Sequence, residues 1–270
     1  MSSTPLLGAI MQNVFITGAS SGIGAELARR YAQQGAVLGL VARRKEVLEQ
    51  LRQSLPNSEK HFIYPLDVTD HAALAGAARA FTQATGGAHI VIANAGVSMG
   101  TLSEFTEDIP IFEQVIATNL LATVATFAPF ISDMKNRAAM QSCRLVGIGS
   151  VAGIRGLPGA EAYSASKAAV ISYCESLRVE LRASDIKVVT ICPGYIDTPM
   201  TQVNQYAMPF LMPVEKFAQR AIAAIASGDS YRIIPWQMGW VAKLLRLLPN
   251  WAFDLAFSKA PHKARAANKE

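Results

Sequence analysis

Val14-Phe15-Ile16-Thr17-Gly18-Ala19-Ser20-Ser21-Gly22-Ile23-Gly24 is the stretch that decides the fold. It opens as a short apolar, β-branched run and breaks at Gly18. A helical pattern follows, with Leu27, Ala28, Tyr31 and Ala32 on its apolar side. A strand, a glycine turn and a helix in that order make an anion cradle, because backbone N–H groups and the helix's positive end converge on one point. The spacing is G-x-x-x-G-x-G, not the commoner G-x-G-x-x-G, and taken alone it also describes a plain glycine-rich turn.

Working outward, apolar runs recur at 36–42, 62–66, 90–93, 145–149, 188–192 and 231–234, alternating with helical patterns. Seven such strands predict an α/β fold: a Rossmann-like, doubly wound, mostly parallel sheet with helices on both faces. No linker or internal repeat interrupts residues 1–235, which are expected to form one dinucleotide-binding catalytic domain. Residues 236–270 form an amphipathic, basic tail.

The strand ends carry the candidate binding residues, since open parallel sheets hold ligands there. After the second strand comes Ala42-Arg43-Arg44-Lys45. An NAD site wants a carboxylate near this point for the ribose 2′-hydroxyl, whereas a guanidinium suits a 2′-phosphate, so NADP(H) is expected. The plainer alternative is that Arg43 and Arg44 open an exposed helix. Asp67-Val68 ends the third strand, where the acid either meets an adenine amino group or caps the helix near Asp70. Asn94-Ala95-Gly96 ends the fourth, with small residues that let a cofactor lie close to the backbone. Asn119 lies inside a long helical stretch, 111–137, where an Asn is exposed, bonded or functional, and Pro129 is expected to kink its later turns.

Catalytic chemistry is suggested by Tyr163-Ser164-Ala165-Ser166-Lys167. Tyrosine and lysine at i and i+4 share a helix face, and an ammonium beside a phenol is expected to pull the phenol's pKa below ~10. Ser150 stands thirteen residues upstream, at the carboxyl end of the fifth strand. Tyr-x-x-x-Lys alone is common on ordinary helices. An apolar loop with Met200, Tyr206, Met208, Phe210, Leu211 and Met212 suits either an apolar ligand or packing on a neighbouring helix.

In their order and spacing these motifs resemble the short-chain dehydrogenase/reductase family over about Val14 to Ile234. The resemblance implies an NADP(H)-dependent oxidoreductase interconverting a ketone and a secondary alcohol, with Tyr163 as general acid or base. Lys167 would tune it and bind the nicotinamide ribose, Ser150 would hold the substrate oxygen, and Asn119 would keep a water in the proton relay. Gly18, Ser20, Ser21, Gly22, Ile23 and Gly24 would cradle the phosphates. Pro193-Gly194, the Ile196 backbone and the Thr198 hydroxyl would line the nicotinamide. Ala93 departs from the family, many members of which carry a second Asn there to brace the sheet. The resemblance also implies a homodimer or homotetramer through the Asn119 and Tyr163 helices. Two other functions fit the same fold: a non-catalytic dinucleotide-binding regulator, which has no need of all four catalytic-type residues, and a membrane-recruited interaction protein.

Composition sets the remaining limits. The chain has 270 residues, 51% hydrophobic, with three scattered cysteines that fit no disulfide framework. A reducing, cytoplasmic setting follows. Four histidines form no cluster, so no metal site is expected. No charged residue precedes Glu26, but three glycines and the lack of a basic start favour a buried first strand over a signal peptide. No segment is expected to reach the ~20 apolar residues of a membrane span. Net charge is +5, and residues 1–230 are balanced, so the excess sits in the tail. A balanced body argues against nucleic-acid binding. In the tail, Trp236, Trp240, Leu244, Leu247 and Trp251 share one helical side, joined by Val241, Leu245 and Leu248, and Pro249 is expected to end or kink the helix. This face either covers the cleft or another subunit, or lies in the interface at the inner face of an anionic membrane, helped by Lys259, Lys263, Arg265 and Lys269. An apolar loop beside such a tail suits a lipid-like or steroid-like substrate.

Overall fold

The computed structural model describes residues 12–138, 140–204 and 206–258, together with Lys263 and Arg265. In chain order the elements are β1 (Asn13–Thr17), α1 (Gly22–Gln33), β2 (Val37–Ala42), α2 (Lys45–Ser54), β3 (Phe62–Pro65), α3 (His71–Thr85) and β4 (Ile90–Ala93). There follow α4 (Ile109–Ile116), α5 (Ala122–Arg137), β5 (Arg144–Ile148), α6 (Glu161–Glu180) and β6 (Lys187–Pro193). The chain closes with β7 (Ile196–Asp197), α7 (Pro199–Gln202), β8 (Met212–Pro213), α8 (Val214–Ser227), β9 (Tyr231–Ile234), α9 (Trp236–Leu247) and α10 (Asn250–Phe257).

Seven strands form one sheet in the order β3-β2-β1-β4-β5-β6-β9. All of its pairings are parallel, from Val14 beside Leu38 on one side of β1 to Val14 beside Ile90 on the other. The strands are apolar along their length because helices cover both faces. Val14, Ile16, Leu38 and Leu40 pack with Leu27, Leu48 and Phe217 on one side. Phe15, Val41, Val91 and Leu145 pack with Phe81, Phe130 and Val170 on the other. The strand order reverses between β1 and β4, which opens a crevice above their carboxyl ends.

The long helix departs from its expected form. α4 and α5 are joined by a π turn, Ala117–Leu121, that carries Asn119, and Pro129 lies inside α5. The stretch Thr106–Arg137 is long and apolar enough to cross a membrane by length and composition, which corrects the expectation that none is. In this fold Ala122, Phe127, Phe130 and Met134 of that stretch belong to the core, which is why it is apolar.

Among the described residues the tail forms two helices. Leu248 takes an extended backbone and Pro249 opens α10, so the proline ends α9. Met238 and Ala242 face the body and are buried, whereas Trp236, Trp240, Leu244 and Leu247 point outward. Arg155 fastens the junction by donating to the carbonyls of Leu245 and Leu248 at 2.6 and 2.7 Å, with its guanidinium 4.0 Å from the Phe253 ring centroid. Of the basic end, Lys263 and Arg265 are described, while Lys259 and Lys269 lie outside the described residues.

Candidate active site

The crevice is a cavity of about 380 Å³, and every site residue expected from the sequence lines it except Gly24 and Asn119. Its construction begins at Gly18, which adopts φ +68°, where a side chain would sit 2.8 Å from the Ala95 backbone. Gly24 stands behind the cradle: a Cβ there would lie 2.3 Å from the Gly18 carbonyl oxygen, so glycine lets α1 pack against the turn. Ser21 precedes α1 without capping it by a side-chain hydrogen bond, and the helix's first turn contains no acid. Its leading N–H groups therefore suit an anion. The cradle fits a dinucleotide's phosphates.

Thr17 joins the two strands at the switch point, a role not expected from the sequence. Its hydroxyl accepts from the N–H groups of Asn94 and Ala95 at 3.1 and 3.2 Å. Asn94 returns the contact by donating its side-chain amide to the carbonyls of Thr17 and Gly18 at 3.0 and 3.2 Å. The available signal was a polar residue ending an otherwise apolar strand. Leu66, Thr69, Val97, Gln114 and Thr118 also line the cavity and were missed. Gln114 and Thr118 stand one helical turn apart, a spacing that presents both on one side.

At the adenosine end, Arg44 Nη2 donates to Ser20 Oγ at 3.3 Å, and Arg43 lies 3.8 Å from the Asp67 carboxylate. Both arginines are exposed on the cavity's lip. Asp67 does not cap α3; Asp70 does, accepting from the Ala73 N–H at 2.9 Å. Asp67 instead accepts from the N–H and hydroxyl of Thr69. The Thr69 N–H foremost, with its hydroxyl and Arg43, holds the Asp67 carboxyl below its ordinary pKa against the opposing effect of burial.

At the other end stand Ser150, Tyr163 and Lys167. Ser150 follows β5, and its Oγ accepts from the Ala152 N–H at 3.1 Å. Lys167 is buried, its Nζ donating to the Ile148 carbonyl at 2.8 Å and lying 5.9 Å from the Tyr163 ring centroid. Burial lowers the Lys167 pKa to about 8. Burial also raises that of Tyr163, while the Ser150 hydroxyl pulls it the other way. The expected depression of the phenol's pKa is thus reversed: desolvation by burial exceeds the pull of the Ser150 hydroxyl.

Asn119 sits behind this wall, fully buried. Its amide donates to the Val97 carbonyl at 3.0 Å and to Ser166 Oγ at 2.9 Å, and its Oδ1 accepts from the Val97 N–H at 2.8 Å. Both side-chain donors are engaged, so the side chain braces the cavity wall and leaves no N–H for a water. Ser166 continues the chain to the Tyr163 carbonyl at 2.8 Å. Pro193, Gly194, Ile196 and Thr198 close the far side, and a Cβ on Gly22 would meet Thr198 at 3.3 Å. Of the apolar loop, Met200 lines the cavity, Phe210 and Leu211 are exposed, and Met212 is core. Among the described residues no three His, Cys, Asp or Glu side chains converge as metal ligands.

The chain is similar to known proteins in sequence and in fold. Residues 12–208 match the family model described as short chain dehydrogenase. An uncharacterized oxidoreductase of Myxococcus xanthus is 36% identical over 247 residues, covering 91% of this chain and 96% of that protein. The 11-beta-hydroxysteroid dehydrogenase-like 2 protein of Arabidopsis thaliana is 33% identical over 248 residues, 87% of this chain and 77% of that one. In fold, the chain resembles the Brucella melitensis 3-ketoacyl-(acyl-carrier-protein) reductase complexed with NADH, with TM-score 0.76 and 24% identity over 83% of this chain and 96% of that one.

Proposed function

The chain belongs to the short-chain dehydrogenase/reductase family, and from that premise we propose that this oxidoreductase uses NADP(H) to interconvert an apolar ketone and its secondary alcohol. One observation carries the reading: Ser150, Tyr163 and Lys167 share a single cavity with the glycine cradle and the Arg43–Arg44 lip. When bound, the nicotinamide cofactor supplies or accepts the hydride. The N-terminus of α1 would hold the phosphates, and Arg43 and Arg44 with Ser20 would answer a 2′-phosphate.

In the reductive direction the Tyr163 hydroxyl donates a proton to the carbonyl oxygen, and Ser150 donates a hydrogen bond to the same oxygen. A phenol kept protonated by burial is suited to the acid role. Lys167 would hold the nicotinamide ribose and resupply the proton to Tyr163. Asn119 contributes to the relay by fixing Val97 and, through Ser166, the Tyr163 turn. The half-exposed apolar loop around Met200 and Phe210 supports a lipid-like or steroid-like substrate. Exposed Leu121 on the π turn and Val179 on α6 offer surface for a homodimer or homotetramer. Three buried free cysteines suit a reducing cytoplasm.

The test is NADPH oxidation, followed by absorbance, against a panel of ketones graded in hydrophobicity. Turnover that rises with apolar size is expected. No turnover with any ketone or secondary alcohol under either cofactor defeats the reading.

A further inference from the structure

All three tryptophans of the chain lie in α9 and α10, and all three are exposed: Trp236 at 62%, Trp240 at 66% and Trp251 at 72%. Leu244, Leu247 and Leu255 of the same two helices are exposed as well. A soluble protein seldom leaves so many large apolar side chains together in water, so something covers this stripe. The cleft is not what lies beneath it, because no residue of either helix lines the cavity. The body covers the opposite side of α9, at Met238 and Ala242.

We infer that the outward face of α9 and α10 docks onto an anionic phospholipid bilayer and sets the rim of the cleft against it. Three features favour lipid over a second copy of the chain. The side chains are indole and leucine, the pair that settles at headgroup depth. Within the two helices that carry the stripe, Lys243 and Arg246 outnumber Asp254. Lys243 is exposed within the stripe, its Nζ 5.1 Å from the Trp240 ring centroid. Beside Trp236 there is also a recess of about 370 Å³ with Arg220 and Arg232 in its wall, the latter paired with Asp229.

The stripe is fastened to the cleft's walls. Met238 packs on Gly194, where a Cβ would lie 2.7 Å from its Cγ. Arg155 and the Ile154 carbonyl, which accepts from Arg246 at 3.0 Å, lie on the loop between Ser150 and Tyr163. Docking therefore brings an apolar substrate dissolved in the bilayer to the cleft's edge. Only this choice of substrate rests on the function proposed above; the docking does not.

The experiment uses the full chain with vesicles of phosphatidylcholine, with and without phosphatidylglycerol. Co-sedimentation is followed together with tryptophan emission, which here reports the stripe alone. Binding to the anionic vesicles with a blue-shifted emission is expected, weakening as salt is raised. The double variant Trp240→Glu/Leu244→Glu alters exposed residues only. It should bind roughly tenfold or more weakly, with unchanged melting temperature and unchanged turnover of a water-soluble ketone. A full chain that stays in the supernatant at low salt overturns the inference. So does concentration-dependent self-association abolished by the double variant without vesicle binding, which assigns the face to a second copy. Vesicle binding by a chain that reduces no ketone defeats the oxidoreductase reading and leaves this one standing.

Discussion

Arg265 grips Asp108 at two points, Nε to Oδ2 and Nη2 to Oδ1, each at 3.0 Å. Asp108 also accepts from the Leu102 N–H at 2.8 Å, and the Arg265 guanidinium lies 3.5 Å from the Phe105 ring centroid. Lys263 Nζ donates to Ser98 Oγ at 2.9 Å. Lys263 and Arg265 thus strap the loop between Gly96 and α4, whose first residue, Val97, is a wall of the cavity. Removing Arg265 leaves a buried carboxylate unpaired, which is costly. Arg265→Ala is expected to raise KM for the ketone while changing NADPH affinity little, and to lower the melting temperature. Arg265→Lys should restore part of both. Unchanged steady-state kinetics in the alanine variant would show that the strap does not shape the site.

Tyr163→Phe removes the proton donor without disturbing the cradle. Turnover should fall by roughly 10²–10⁴, the usual worth of a positioned acid, while cofactor affinity by fluorescence titration stays near that of the unmodified chain.

Lys167 holds its charge only below about 8. Cofactor affinity should therefore weaken as pH rises through that value, because the ammonium that meets the ribose is discharged. In Lys167→Met the affinity should be weaker throughout and lose this dependence. A titration midpoint near the ordinary lysine value in the cofactor-free chain contradicts the burial described above.

NADPH should be preferred over NADH, and Arg43→Ala and Arg44→Ala should each reduce the preference. Both guanidiniums are exposed and screened, so roughly three- to tenfold per residue is expected. Asp67→Asn should raise NADPH affinity, since it frees Arg43 from its ion pair. Equal Kd values for the two cofactors in the unmodified chain would overturn the assignment.

Acid stability is tied to two buried histidines. His89 Nδ1 accepts from the Asn13 N–H at 2.9 Å, and His61 Nδ1 accepts from the Leu38 N–H at 3.3 Å. Burial lowers both pKa values from 6.5. The unfolded chain therefore binds protons first, so the neutral rings' contribution is complete above 6.5 and declines as pH falls below it. Melting temperature should drop between pH 7 and 5, and His89→Gln should flatten part of that slope.

The strands were legible in the sequence because a parallel strand covered on both faces is apolar throughout, as in Val14-Phe15-Ile16 and Val188-Val189. The site was largely legible for a related reason: Gly18, Asn94 and Ser150 each follow a strand, and parallel strands deliver their carboxyl ends to one edge. Orientation was not legible. Helical periodicity relates α9's residues only to one another, so packing of Met238 on Gly194 was needed to turn the tryptophans outward. Spacing alone put Lys167 near Tyr163 without saying that its Nζ would turn to the Ile148 carbonyl, or that burial would raise the phenol's pKa. Asn119 likewise acquired its bracing contacts only when the π turn between α4 and α5 met α6 and the loop that carries Val97. Local chemistry is written in neighbouring residues, but burial and partnership depend on what distant segments bring, and those appear only when the chain is packed.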